Sequence, residues 1–566
     1  MMKIKYTALA LLSAAVLSSC SLLGSLDDLE FEYVRTDDNI ITDATSAESQ
    51  LAGVYTQWKH FNVSTFFTLQ SMRSGTIQTV NIAGYTEFRT NQITDTNDAT
   101  EKFYTNLYLI INSANSFIAS LNARPEVTGL SPERRKEMLG EAYLNKALAE
   151  YYLLCTFGEF YDMESEYGIV IWNEPVRKTE ARKRSSVADS YQTILDDLEA
   201  AMQAPAAPAV GHAGLYAAQA LKAKVLLCMQ RYPEAAEVAG ALIEANDSAL
   251  ESDFLAPFRN PYGSKEILFD LYCYYPNSSL GNQYNVYYST PGQTLTELAD
   301  ELVGEVGDGV LSTPDYLSYY TWISEQAALD PSLEEAFVAY VNDLYYGMPY
   351  FSSIQSMYDE YLMYGMSDDD VKMLIGMDVQ AYVETTGIET GIAPTECNAM
   401  GYDYRYIQTY DPVLREGESN MSKYIYGDYT SGPSNTIFLL RMADVYYVKA
   451  EAEARQGGSA HLDAARTALE RVLERAQYGR DYIDAIPDEA LVATIMKHRY
   501  MENFTENQDD YFDQVRAFML DGKNFCNNSL VAAGRTLIAP VPRAAISGNG
   551  LLEQLPAKSN ETNTKP

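Results

Sequence analysis

Two distant stretches of the chain repeat one pattern, and that repetition constrains the fold more than any other feature. In the first, 216–230 places small and apolar residues at Ala217, Ala220, Leu221, Val225 and Cys228. Arg231-Tyr232-Pro233-Glu234-Ala235-Ala236 then turns the chain into a second helix ending near Ala245. In the second, 440–455 carries Ala443, Tyr447, Ala450 and Ala454, Gly457-Gly458 ends it, and 461–475 returns with Ala464, Ala465, Leu469 and Val472. Small residues at helical spacing let paired helices approach closely. Hairpins that recur without being contiguous predict one superhelical scaffold interrupted by an insertion. Further helical stripes fall at 46–60 (Leu51, Val54, Tyr55, Trp58) and 100–121 (Phe103, Leu107, Ile110, Ile111, Ala114, Ile118). Ser131-Pro132-Glu133-Arg134 is a helix start with serine as N-cap and proline at the first helical position; that helix stops near Gly158, and another spans 186–202.

The hairpin with its short Tyr-x-Glu-Ala turn resembles the tetratricopeptide repeat. The predicted fold is therefore mainly α, a tetratricopeptide-like superhelix in two parts, 46–251 and 430–566, with a large irregular insertion at 252–429. The insertion differs in composition: it holds many of the chain's 45 tyrosines, with Gly and Pro interspersed and helical periodicity only patchy. Loops borne on a rigid scaffold are where binding residues concentrate, so the ligand surface is expected there. Tyrosine suits that task, with a flat apolar ring and a polar tip.

The first residues carry a different message. Lys3 and Lys5 precede an apolar or small-residue run from 6 to 17, shorter than the roughly 20 residues a spanning helix needs. With its flanks it reads as a secretory signal, 1–19. Leu17-Ser18-Ser19-Cys20 resembles the bacterial lipobox, whose cysteine is acylated and becomes the mature N-terminus. The linker 20–45 opens with acidic Ser25-Leu26-Asp27-Asp28-Leu29-Glu30, like a surface-export tag. The formal charge of −37 repels nucleic acid and anionic headgroups, so contact with the membrane is expected through the lipid alone. Five cysteines besides Cys20, with no close pair, do not make a disulfide framework, and four scattered histidines lack zinc-site spacing.

The order of segments resembles the SusD/RagB-like nutrient-binding lipoproteins. The features that carry this are Leu51-Ala52-Gly53-Val54-Tyr55, the helix from Gly140-Glu141-Ala142-Tyr143 to Phe157-Gly158, and Arg184-Ser185-Ser186 leading to Ile194-Leu195-Asp196-Asp197-Leu198-Glu199-Ala200. Leu440-Arg441-Met442-Ala443-Asp444-Val445-Tyr446 with Lys449-Ala450-Glu451-Ala452, and Ile538-Ala539-Pro540-Val541-Pro542 before Asn549-Gly550-Leu551-Leu552-Glu553-Gln554, complete the set. One segment departs. Where the family has Ile-x-x-Glu-Arg-Arg, this chain has Ile495-Met496-Lys497-His498-Arg499-Tyr500, followed by Glu502, Glu506, Asp513 and Arg516. These charges are expected to form a structural ion-pair network with one link changed, in a divergent member. The resemblance implies an outer-membrane lipoprotein facing outward. It would act as a lid over a SusC-like TonB-dependent barrel, binding an oligosaccharide or a peptide without doing chemistry and without a cofactor.

The residues agree with a non-enzyme. The chain lacks a phosphate-binding Gly-x-x-x-x-Gly-Lys-Ser/Thr loop, a Gly-x-Ser-x-Gly turn and a His-Glu-x-x-His helix. Ser367-Asp368-Asp369-Asp370 offers oxygen ligands for calcium but reads more simply as a capped first helical turn. For the ligand, Trp322 in Tyr319-Tyr320-Thr321-Trp322 is the leading candidate, with Tyr85 and Phe88 in a polar loop region, 73–97, where the family has a ligand-facing loop. The competing function is a surface interaction scaffold that binds no small ligand. Replacing Cys20 tests the anchor: Cys20→Ala protein should leave the outer-membrane fraction on cell fractionation, and retention there would remove the lipid-anchor claim.

Overall fold

The computed structural model describes residues 40–58, 61–74, 86–178, 180–203, 212–271, 316–346, 350–388, 405, 436–476, 478–503, 505–526, 528–534 and 536–556. Up to the first strand come α1 (Ala44–Trp58), α2 (Phe61–Arg73), α3 (Thr86–Arg89), α4 (Asp98–Asn122), α5 (Pro132–Phe157), α6 (Val187–Met202), α7 (Leu215–Cys228), α8 (Tyr232–Asn246) and α9 (Ala256–Arg259), the last already inside the expected 252–429 insertion. Strand β1 (Ile267–Leu271) leads into the insertion, whose described helices are α10 (Tyr316–Leu329), α11 (Pro331–Tyr346), α12 (Ile354–Met363) and α13 (Asp368–Thr386). Strand β2 (Ile437–Arg441) leads out, followed by α14 (Met442–Gln456), α15 (Ser459–Leu473), α16 (Arg480–Ala485), α17 (Leu491–Asn503), α18 (Asp509–Asp521), α19 (Ser529–Ala532) and α20 (Arg543–Gly548).

Neighbouring helices pack in chain order, α4 on α5, α5 on α6, α6 on α7 and α7 on α8, and the next layer on α8 is α14. The two alanine-rich hairpins, α7/α8 and α14/α15, are therefore adjacent layers of one stack, although the insertion separates them in sequence. Small residues make that contact possible: Ala217, Ala220, Ala239, Ala443 and Ala450 are all buried at the close approaches. Serine caps start the helices where the sequence placed them. Ser131 accepts from the Arg134 amide with Pro132 at the first helical position, and Ser186 accepts from the Asp189 amide. Trp58 is fully buried, its indole N–H donating to Asn145 Oδ1 at 2.8 Å.

β1 and β2 pair antiparallel, with Ile267 opposite Arg441 and Leu271 opposite Ile437. They bring the entry and exit of the insertion side by side. The insertion is more helical than its patchy periodicity predicts, for α10–α13 enclose a second hydrophobic core around Ile323, Phe337, Val341, Met357, Val371 and Ile375. Its many tyrosines blur the apolar stripe, because a ring with a polar tip sits at the edge of a core as readily as inside it. At the start of α13, Ser367 accepts from the Asp370 amide and Asp370 reciprocates, so the acidic run is a capping box.

Where α7, α14, α17 and α18 meet, the core is charged. Lys224 reaches Asp444 at 2.9 Å and Asp509 at 2.5 Å. Arg499 pairs with Asp444 at 2.7 Å and Asp513 at 2.9 Å, while Arg516 grips Glu451 with two nitrogens at 2.6 and 2.7 Å. Arg441 pairs with Glu266 at 2.6 Å and Glu506 at 2.7 Å; Arg475 pairs with Glu266 at 2.7 Å and Glu502 at 2.5 Å. Each of these groups is almost fully removed from water. A buried charge is tolerable only when paired and hydrogen-bonded, and these are.

The departure at His498 has a specific outcome. Arg405 donates to Glu502 at 3.2 Å and faces His498 Nδ1 at 2.8 Å. A guanidinium has only donors, so Nδ1 accepts, and the proton of the neutral ring sits on Nε2, 3.0 Å from Tyr482 Oη. Burial, reinforced by Arg405, holds His498 well below the ordinary histidine range. A neutral acceptor thus occupies the place of a carboxylate.

The pH dependence follows from these groups. Burial pushes Asp444 and Glu451 upward, but Arg499 and Lys224, and Arg516 and Arg455, outweigh it and hold both well below the carboxylate range. Depressed acids contribute stability above their unfolded values that is lost as pH falls toward the folded ones; buried neutral His498 has the same sign below about 6.5. Asp509 has the opposite sign: burial pushes it up to about 6, so protonating it relieves the cluster. The opposing contributions of His498 and Asp509 cancel between about pH 6 and 4. Below about pH 4, urea stability should fall steadily with pH, each group that stays unprotonated only in the folded protein contributing up to about 1.4 kcal/mol per pH unit. Denaturation midpoints from pH 7 to 3 check this, and a uniform slope across the range would contradict it.

Candidate functional site

The tyrosine-rich face of the inserted helices is built outward from one buried amide. Asn342, near the end of α11, accepts from the Tyr350 and Phe351 amides at 2.9 and 2.8 Å and donates to the Phe351 carbonyl at 2.9 Å. That fixes the turn before α12. Ser353 then caps α12 in a box with Ser356, and the Ile354 amide donates to Glu334 at 2.9 Å. Phe351 points inward, its ring 5.9 Å from Tyr361 and 4.6 Å from Tyr350. Tyr350 points out, 57% exposed, and Tyr364 at the end of α12 is 71% exposed.

Between them lies a carboxylate. Tyr350 Oη donates to Glu360 Oε1 at 2.6 Å. That bond, with a second to Tyr364, holds the Tyr350 phenol above its usual range, so it stays a protonated donor. Glu360 and Tyr364 lie one helical turn apart, which places them on the same side of α12. Leu362 and Met363 beside them are also exposed. Such a surface offers ring faces for stacking and oriented oxygens for hydrogen bonds, and nothing in it activates a nucleophile.

The expected ligand residues are distributed unevenly. Tyr319, Tyr320 and Trp322 all lie on α10. Tyr319 is buried in the second core, which assigns it to packing. Tyr320 and Trp322 are half-buried at the rim of that core, and Tyr320 lies 6.4 Å from the ring of Tyr358 on α12. Phe88, in the short α3, is fully buried with its ring against Phe66, so it presents no face to a ligand. Tyr85 and Cys20 lie outside the described residues. Tyr350 and Tyr364 belong to the insertion tyrosines expected to face the ligand but are not among the named candidates, and Glu360 is signalled only by its spacing from Tyr364.

A second concavity lies on the scaffold. Tyr104, Tyr108, Asn112, Trp172, Val176 and Ala545 line a groove of about 500 Å³. Tyr108 Oη is held by the Val170 backbone at 3.1 and 3.2 Å, and the Arg182 guanidinium lies 3.8 Å over the Trp172 ring, so one indole face is already taken. Among the described residues no group of side chains could hold a metal ion, and no helix is long and apolar enough to cross a membrane. Cys155, Cys228 and Cys526 are free and buried.

A stack of helical hairpins with an inserted aromatic bundle defines a tetratricopeptide-like class of fold. Two family models match the chain, one described as "Starch-binding associating with outer membrane" over residues 32–227 and one described as "SusD family" over residues 272–531. The chain belongs to the SusD/RagB-like family, as a divergent member. Among solved structures, a SusD superfamily protein from Bacteroides thetaiotaomicron VPI-5482 is 17% identical with a TM-score of 0.56, covering 91% of this chain and 100% of that one. A SusD superfamily protein from Bacteroides vulgatus ATCC 8482 is 14% identical with a TM-score of 0.60, covering 91% and 99%. A laminarin-binding SusD-like protein is 16% identical with a TM-score of 0.54, covering 91% and 100%. Likeness at these identities is likeness of fold. No curated protein matches the chain.

The buried amide gives the site a test of its own. Asn342→Ala leaves two amide donors unpaired, at about 1–3 kcal/mol each. Hydrogen exchange at Tyr350 and Phe351 should quicken at least tenfold while α14 exchanges as before; unchanged exchange would show that Asn342 does not hold the turn.

Proposed function

We propose that this chain is a surface lipoprotein, acylated at Cys20 and anchored in the outer membrane, that captures a nutrient glycan and delivers it to a TonB-dependent barrel. The observation that carries this reading is the exposed Tyr350–Glu360–Tyr364 surface on a bundle with its own core, joined to a scaffold of the SusD/RagB-like family. Tyr320 and Trp322 at the rim of the bundle extend the ligand-facing set, together with Tyr85, which the sequence reading adds. Tyr319 and Phe88 support it through packing. The family match described as starch-binding, and a laminarin-binding protein of the same fold, favour a glycan.

The work asked of such a protein is holding rather than reacting. Exposed rings stack on the apolar faces of sugar rings, each worth on the order of 1 kcal/mol by analogy with aromatic pairs. Phenol and carboxylate oxygens orient the hydroxyls. The scaffold stays rigid beneath them, and import energy comes through the barrel, so the domains divide into a stiff carrier and a recognition module.

Two measurements test this. The tagged lipoprotein, purified from gently solubilised outer membranes, should bring down a stoichiometric TonB-dependent barrel identified by mass spectrometry; its absence would favour a surface scaffold instead. Calorimetry with oligosaccharides should show Tyr350→Ala and Trp322→Ala each weakening binding about fivefold, the equivalent of about 1 kcal/mol. Unaltered affinity would remove the site assignment.

A further inference from the structure

Charge is distributed through this molecule in a way that bears on which ligand the tyrosine face accepts. The segment between the two strands, 272–436, holds 25 of the 78 acids and only four of the 41 bases, so it carries −21 of the chain's −37. It also holds 24 of the 45 tyrosines. Across 316–386, where the bundle lies, twelve acids meet one base, Lys372, and that base is paired with Asp368 at 2.8 Å. Elsewhere 53 acids meet 37 bases; across 272–436 acids outnumber bases about sixfold.

This imbalance surrounds the exposed rings. Tyr350 and Tyr364 flank the Glu360 carboxylate, which accepts from Tyr350 Oη on one oxygen. Asp359 is exposed next to it, and Asp343, also exposed, precedes the same turn. The face of an aromatic ring attracts a cation through its quadrupole, and paired rings with a carboxylate are the chemistry that recognises amines. An anion meets the reverse: negative potential over a Debye length of about 8 Å and no available guanidinium or ammonium in the described bundle to replace its water.

We propose that the tyrosine face of the inserted bundle selects sugars bearing protonated amines and rejects those bearing carboxylates or sulfates. This rests on the glycan-capture reading above and narrows it to one chemical class. The amine sits against the Tyr350 and Tyr364 rings with Glu360 as its counter-charge, and the sugar rings extend along the half-buried aromatics. Glu360 sets selectivity here, while the rings supply affinity for any sugar.

The test compares four oligomers of equal length on the purified full-length lipoprotein: glucosamine, N-acetylglucosamine, galacturonate and lysine. The glucosamine oligomer should bind at least tenfold tighter than the acetylated one in about 20 mM salt, and that advantage should shrink in about 500 mM salt. The galacturonate oligomer should not bind. Glu360→Gln should cut the ratio of amine to acetylated affinity severalfold and flatten the salt dependence of that ratio, a split that general unfolding would not produce. Equal binding of the amine and acidic oligomers, or a preference that Glu360→Gln leaves intact, overturns the charge selectivity alone. Binding of oligolysine without any of the sugars overturns the sugar class and assigns the face to basic peptides. Failure of every oligomer takes the glycan-capture reading down with it.

Discussion

The buried lattice of arginines and carboxylates where α14 meets α17 and α18 is the interaction on which the rest of this structure depends. Its members come from every part of the chain: Lys224 from the first scaffold half, Glu266 just before β1, Arg405 from the insertion, Arg441 at the end of β2, and Arg499, Glu502 and Arg516 near the C-terminus. A hydrophobic contact of the same size would accept many arrangements. Bidentate pairs such as Arg516 with Glu451 accept few, since both nitrogens must meet both oxygens. Removing one member leaves its partners charged and dry, which costs far more than the pair contributes. Such pairs hold distant segments in one register, so two halves separated by a long insertion meet in one arrangement.

His498 shows how such a lattice tolerates change. A carboxylate replaced by an apolar residue would have stranded Arg405. The imidazole keeps an acceptor at 2.8 Å and hands its own proton toward Tyr482, so hydrogen bonding survives while a charge is lost. Arg405 still has Glu502 as a counter-charge. The link is thus a neutral hydrogen bond beside the charged pairs of the lattice.

Most of the scaffold was legible because its signals are local. Ser131, Ser186 and Ser367 announce their helices, and alanines at helical spacing announce the hairpins. What sequence could not supply was the partner of each charge, since Glu266 and Arg475 lie far apart along the chain and nothing nearby links them. The site was half legible. Tyr319 and Tyr320 are adjacent, and a rotation of one residue on α10 sends the first into the core and leaves the second at its rim. Phe88 belongs to a helix too short to show a period, so its burial was invisible. Tyr350 owes its position to Asn342, a contact across a turn that no pattern encodes.

The pairing of β1 with β2 frees the scaffold from the insertion's length. Because the strands fix the two ends of the insertion side by side, the scaffold sees the same short gap whatever lies between them. The entropy of closing a loop grows only slowly with its length, so a longer, shorter or wholly different recognition module costs the scaffold little. Glu266 and Arg441, paired at 2.6 Å at the opposite, scaffold end of the strand pair, act as a clasp at its base. The frame can thus hold an inserted bundle of another length without changing its own register.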